Sequence, residues 1–389
     1  MSETPSTITC PRCEHEVPAA PYCVRCGEWL VDDLSKHPSG RRGFAAAPNE
    51  SAFSPRLIST IFPQLPRADM DAFRASLALG AAAIIVLALF RLFPLALIGS
   101  AVLVPLLVVL YLWDVDLYED EPRLVLGLTI LWGIAAGIGV GFLSKHVISP
   151  DAALAFQITT HTLVWSGILI PLISFALMVV GPLPLLPYRK FNDVLDGATF
   201  GAATAVAFVG AELLTHSSDF LASGVRPVGA TVPWILRLIS LGVIVPVLAA
   251  CAVGAAMGAL WLRYRAPVRD RKVLGPLGHP LLALPLAAGL IVGGALIQLY
   301  LDTWLETILL LVAALLAILW LRRMIHLGLL QEASEIEIGP PVTCGNCGKQ
   351  TPRHTFCAYC GVSLMALPKS TRPERPWAER PPRGGEQPA

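Results

Sequence analysis

Residues 193–215 read DVLDGATFGAATAVAFVGAELLT, an apolar run rich in small residues that carries one carboxylate, Glu212, to membrane depth. Glycine and alanine recur four apart (Gly197 and Gly201; Ala198 and Ala202), a spacing that lets a helix backbone come close to its neighbours in lipid. Phe208 and Glu212 are also four apart and share one helical face. A carboxylate on such a helix is costly to hold, which makes Glu212 a candidate functional group.

The surroundings of this run are those of a membrane protein. Of 389 residues, 54% are hydrophobic and 15% charged, against about 25% charged in a soluble domain. The apolar content lies between residues 75 and 321 and resolves into spans at 73–90, 95–113, 124–143, 161–181, 196–215, 238–261, 280–300 and 303–321. Each is near the ~20 residues that a bilayer core requires. The pattern predicts an all-α polytopic membrane protein of about eight transmembrane helices. Glycines four apart recur as Gly133, Gly137 and Gly141, as Gly254 and Gly258, and as Gly289 and Gly293, and predict close helix packing.

Basic residues set the expected orientation. Arg67 precedes the first span and Arg74 lies at its start; Arg189 and Lys190, then Arg263, Arg265, Arg269, Arg271 and Lys272, fill two loops; Arg322 and Arg323 follow the last span. An even number of spans puts them all on one face, which the positive-inside rule makes cytoplasmic. No secretory h-region precedes residue 70, so the first hydrophobic helix is expected to act as an uncleaved anchor in the cell membrane of a prokaryote. A net charge of +1 with no basic stripe gives no indication of nucleic-acid binding.

Eight of the nine cysteines lie near the chain ends. ITCPRCEHEVPAAPYCVRCGEWL holds Cys10, Cys13, Cys23 and Cys26; VTCGNCGKQTPRHTFCAYCGVSL holds Cys344, Cys347, Cys357 and Cys360. Both are CxxC pairs with nine residues between, an aromatic before the third cysteine (Tyr22, Phe356) and Cys-Gly at the close. Four thiolates on two knuckles suit tetrahedral zinc with every position filled, hence two structural Zn2+ ions, one per ribbon. A redox CxxC or a disulfide framework is the alternative. The first has no larger domain to sit in, and the second does not suit a cytoplasmic segment. Glu14 stands where the second copy has Gly348, a departure expected to strain its turn. His15 and His354 are expected to face solvent.

The expected domains are an N-terminal ribbon (8–31), a flexible linker (32–70), a transmembrane domain (71–325), a C-terminal ribbon (342–365) and a disordered tail (366–389). Among polar residues of the spans, Arg237, Gln298 and Glu306 lie near span ends, where they can reach headgroups, and His161 is expected at the interface.

Two blocks resemble PrsW-type intramembrane proteases. YLWDVDLYEDEPRLVLGLTILWG (111–133) supplies Asp116, Glu119, Glu121, Pro122, Trp132 and Gly133 in the places of that family's opening motif. The helix from 193 is similar to its later block through Asp196, Gly197, Gly201, Phe208 and Glu212. The resemblance implies a proteolytic core, but it also implies a Glu-Glu-x-x-Lys motif in the preceding span and a histidine in the following one. Aligned on Pro171, the preceding span has Ser174, Phe175 and Met178 at those places, and the following span has no histidine. One glutamate cannot replace two carboxylates and an imidazole in activating water.

The reading is therefore a PrsW-like, proteolytically inactive binding or scaffold protein. Its membrane core meets lipid or membrane segments, and its ribbons, on flexible tethers, meet protein partners bivalently; whether the ribbons contact each other is not set by the sequence. The alternatives are a protease with an altered site using catalytic Glu212, and a transporter or channel component, for which no broken helix pair or charged ring speaks.

Overall fold

The computed structural model describes residues 6–11, 13–30, 70–115, 123–147, 159–188, 191, 193–223, 231–266, 275–334, 337–345, 347–361 and 364. The linker at 32–69, the tail from 366, the acidic segment with Asp116, Glu119, Glu121 and Pro122, and the loop residues Arg67, Arg189, Lys190, Arg269, Arg271 and Lys272 lie outside them. The chain divides into two compact units. One gathers Met1–Met70, Asp114–Asp120 and Leu330–Ala389; the other comprises Asp71–Trp113 and Glu121–Leu329.

The second unit is helical: α1 (Met70–Leu89), α2 (Phe93–Val115), α3 (Arg123–Val147), α4, α5 (Val194–His216), α6 (Ser218–Ser223), α7, α8 (Pro280–Tyr300) and α9 (Thr303–Ser334). Helix α4 joins Thr160–Thr162, a wide π turn at Leu163–Leu169 and Ile170–Val180; α7 joins Thr231–Ile239, a π turn at Ser240–Ile244 and Val245–Tyr264. Among the described residues, six stretches are long and apolar enough to cross a membrane: Leu124–Val147, Thr160–Leu185, Val194–His216, Val232–Tyr264, Pro280–Tyr300 and Thr303–Ile325. The two earlier expected spans fall on α1 and α2, whose described apolar segments, Ala78–Leu89 and Phe93–Val109, are shorter. Large apolar side chains such as Leu79, Leu124 and Leu281 point outward, as a lipid-facing surface requires.

Each π turn has a sequence cause. Pro171 and Pro246 have no N–H to donate, and their rings crowd the carbonyl four residues back. Both times the helix widens before the proline: Ile170 N–H reaches Trp165 C=O, and Val245 N–H reaches Ser240 C=O, five residues back.

Helix α5 is the centre of the unit. Its start is fixed by a capping box in which Asp193 N–H donates to Asp196 Oδ2 at 3.1 Å. Its most extensive packing is against α3 and α7. The expected glycine seams are there. A Cβ on Gly133 would stand 2.5 Å from Thr204 O, one on Gly137 would run into Phe208 O, and one on Gly141 would lie 2.6 Å from Thr215 Cβ. On the other side, Gly197 and Gly201 receive Trp261 and Met257 of α7, with hypothetical Cβ distances of 2.7 and 2.8 Å. Gly254 packs in the same seam, 3.1 Å from Ala198 O for a hypothetical Cβ, whereas Gly258 meets Met324 of α9 first, at 3.2 Å. The expectation fails for Gly289 and Gly293, which face open space; α8 is approached instead at Gly294, by Leu248. Spacing of four marks a face but not which way it turns.

The first unit holds two small antiparallel sheets. β1 (Thr7–Thr9) pairs with β2 (Glu16–Pro18), Ile8 opposite Val17; β3 (Gly339–Thr343) pairs with β4 (Gln350–Arg353), Val342 opposite Thr351. The two ribbons dock on one another. Tyr22 N–H donates to Ala358 C=O and Phe356 N–H to Val24 C=O, each at 2.9 Å. Whether the ribbons touch one another was left open by the sequence. The contact corrects the expectation for His354: it is fully buried with Nδ1 at 2.9 Å from Val24 O, because docking covers it, whereas His15 is exposed as expected.

A leucine at Gly137 should lower stability by roughly 2–3 kcal/mol, since the backbone of α5 blocks it, whereas Gly289→Leu should stay within about 0.5 kcal/mol. Thermal unfolding of the two variants in detergent checks the contrast.

Candidate metal centres and a membrane cavity

The two ribbons repeat one hydrogen-bond skeleton. Cys10 N–H donates to His15 C=O and Glu14 N–H to Cys10 C=O; Cys344 N–H donates to Lys349 C=O and Gly348 N–H to Cys344 C=O. In the second knuckles, Gly27 N–H reaches Cys23 C=O and Gly361 N–H reaches Cys357 C=O. These turns need a left-handed residue, and Gly27, Gly348 and Gly361 have φ of 74°, 70° and 68°. Glu14 is forced to φ 58° at the place of Gly348, so the strain expected there is real.

This framework brings Cys10, Cys13, Cys23 and Cys26 together, and likewise Cys344, Cys347, Cys357 and Cys360, with all four sulfurs of each set within 4.8 Å of one another. Cys10–Cys26 sulfurs are 3.6 Å apart, and Cys13–Cys23, Cys344–Cys360 and Cys347–Cys357 are each 3.8 Å apart. A tetrahedron with metal–sulfur bonds of about 2.3 Å has edges of about 3.8 Å. Either cluster could therefore hold a metal ion.

The Cys23 and Cys26 thiols, as hydrogen-bond donors, hold the Cys13 thiol far below its usual range. The same contact with Cys13 pushes Cys23 up to about 12 and raises Cys26 as well. Adjacent thiolates cannot all be charged unless an ion sits among them. Burial, and then the nearby Cys360 sulfur of the other ribbon, push the Tyr22 phenol up to about 12.

In the helical unit a cavity of about 360 Å³ surrounds Glu212. The π turn of α4 and the residues after it bring Ser166, Ile170, Pro171, Ser174 and Met178 to its wall. The π turn of α7 brings Leu241 and Val245, and α5 contributes Phe208, Glu212 and His216. Arg237 and Gln298 complete the polar part. Among the described residues no hydrogen bond or ion pair reaches Glu212, and Ser166 Oγ is buried without a partner.

The sequence reading placed Glu212 correctly on this face but missed His216, the third member of the 208–212–216 row, for which the spacing of four was the signal. It assigned Arg237, Gln298 and Glu306 to headgroups. Instead Arg237 and Gln298 line the cavity, and Glu306 is almost wholly buried, with Arg237 Nη1 at 3.9 Å from its Oε2. His161 is exposed and outside the cavity wall. Asp196 serves the start of α5 rather than the cavity.

Comparison with known proteins adds nothing to these geometries: the chain matches no family model, no curated protein and no solved structure.

Two outcomes follow from the ribbon geometry. Glu14→Gly should remove roughly 1 kcal/mol of left-handed strain and raise the chelator concentration at which the N-terminal ribbon unfolds, followed by circular dichroism. Thiols must give up their protons to bind metal, so the affinity of the N-terminal site should fall as pH drops below the thiol range. A pH-independent affinity in a competition titration would contradict thiolate ligation.

Proposed function

We propose that the chain is a PrsW-like membrane protein that binds rather than cuts, with a lipid-binding site in its helical core and two structural zinc ions in ribbons on the cytoplasmic face. The cavity around Glu212 is the observation that carries the first part. The positions aligned with the family's missing acids and lysine are Ser174, Phe175 and Met178; Ser174 and Met178 line this cavity opposite Glu212, and Phe175 does not. The place where a protease would gather two carboxylates and a lysine thus holds one carboxylate, a hydroxyl and a thioether.

Such a wall suits an amphiphile. Ile170, Pro171, Met178, Leu248 and Leu299 offer an apolar surface, while Glu212, Arg237 and Gln298 offer hydrogen-bonding groups to a polar head. Membrane lipid meets that description. All four cysteines of each ribbon are taken as zinc ligands, with no open position for chemistry. Binding worth about 10–16 kcal/mol would hold together units too small to build a core. The basic residues Arg263, Arg265, Arg322 and Arg323 support a cytoplasmic position for both termini of an eight-span chain in the cell membrane. The ribbons are then the surface offered to protein partners.

One observation favours a second reading. His216 lines the cavity one helical turn beyond Glu212, and a carboxylate with an imidazole is a pair able to activate water. An intramembrane protease with this altered site would lose cleavage of a membrane substrate in both Glu212→Gln and His216→Ala.

For the binding reading, Ala249→Phe should fill the cavity and Glu212→Gln should weaken its polar end. Both should reduce lipid retained through purification several-fold by native mass spectrometry, with the fold intact. Retention equal to wild type in Ala249→Phe would refute a lipid site there. Zinc at two ions per chain, lost site by site on Cys→Ser exchange, checks the ribbons.

A further inference from the structure

The contact between the ribbons has a symmetry that neither ribbon needs for its own fold. Tyr22 and Phe356 are counterparts, the residues before each third cysteine; Val24 and Ala358 are counterparts, the residues after it. Tyr22 N–H donates to Ala358 C=O and Phe356 N–H to Val24 C=O, both at 2.9 Å, so each ribbon gives the other the bond that it receives. This is the arrangement of a twofold dimer interface, made here within one chain. Side chains of the C-terminal ribbon add to it. Ala358 is 1% exposed and belongs to the same apolar cluster as Cys10, Cys23 and Cys26. The Phe356 ring lies over Gly27, where a Cβ would be 3.2 Å from it. Fully buried His354 places Nδ1 2.9 Å from Val24 O.

The atoms that dock are also atoms that the metal would order. Val24 and Ala358 lie inside the second CxxC knuckle of each ribbon, between two ligand cysteines, so their carbonyls are positioned only when that knuckle is closed. If a cation is lost from one ribbon, its four thiolates repel or reprotonate, and the acceptor that it offers to the other ribbon is lost with it. Exposing Ala358 and Phe356 would also uncover apolar surface that is buried against the partner ribbon.

We infer that the two ribbons are one bimetallic module that clasps the ends of the chain together, and that metal binding at its two sites is cooperative. The inference rests on the zinc reading above, but it makes a separate claim: the docking partner of each ribbon is the other ribbon, and each ion holds its neighbour's site in place.

The test uses the full chain in nanodiscs, with Zn2+ titrated against a chromophoric chelator. Wild type should bind two ions cooperatively. In Cys23→Ser/Cys26→Ser the remaining C-terminal site should bind at least tenfold more weakly than in wild type. Ala358→Lys alters no ligand but forces a charge into the interface; it should keep two ions and lose the cooperativity. An unchanged C-terminal affinity in the first variant, or intact cooperativity in the second, overturns the inference and leaves the zinc reading standing. No ion bound to wild type would overturn both. As an independent readout, a protease site inserted between Ala47 and Pro48 allows the chain to be cut. The N-terminal fragment should stay bound while zinc is present and be released by chelation; release with zinc present overturns the clasp.

Discussion

Two helices can bring their backbones into contact only where a side chain is missing, and α5 is approached in this way from two sides. Gly133, Gly137 and Gly141 of α3 lie against the carbonyls and small side chains of one face, while its own Gly197 and Gly201 admit Trp261 and Met257 of α7. In lipid no hydrophobic gain drives such association, so dispersion over close-fitting surfaces has to supply it. The cavity depends on this arrangement. With α5 locked at its start and middle, Phe208, Glu212 and His216 near its end are held facing the two π turns, where proline has already loosened the neighbouring backbones.

The ribbons were the most legible part of the chain because a thiolate quartet has few alternatives. Spacing, aromatic position and closing glycine pointed to two clusters, and the misfit at Glu14 was visible as a missing glycine before its φ of 58° was seen. What sequence could not give was the docking. No motif encodes a main-chain bond from Phe356 to Val24, and so a histidine in a spacer, His354, was expected in water when it is buried. A polar residue in a small module is exposed by default only if the module stands alone.

In the helical unit the same limit acts through direction. Apolar runs located the helices well, and spacing of four identified faces, but neither says which neighbour a face meets. Gly289 and Gly293 share their spacing with Gly133 and Gly137, yet only the latter pair has a helix against it. Glu306 lies near a helix start and was assigned to the headgroup region for that reason, yet it is 1% exposed and faces Arg237. Nearness to the end of a helix measures depth along one axis; burial is decided by what stands beside it.

Charge balance narrows what the cavity can accept. Arg237 is the cation on its wall, but its guanidinium is drawn to Glu306, whose carboxylate oxygens have no hydrogen-bond donor among the described residues. A buried carboxylate left without that neighbour would be strongly unfavourable, so Arg237 is held by Glu306 before it can serve Glu212. Gln298 is partly engaged too, donating from Nε2 to Gly294 C=O at 3.3 Å. Among the described residues Glu212 is thus left with no donor, and another residue of the cavity wall, Ser166, has a buried hydroxyl that also lacks a partner. An occupant that brings a hydrogen-bond donor or a positive charge on an apolar body would satisfy both groups. A purely anionic or purely apolar one would leave the carboxylate unanswered. On the lipid-binding reading proposed above, this favours membrane amphiphiles whose head can donate, such as an ammonium or hydroxyl-bearing lipid.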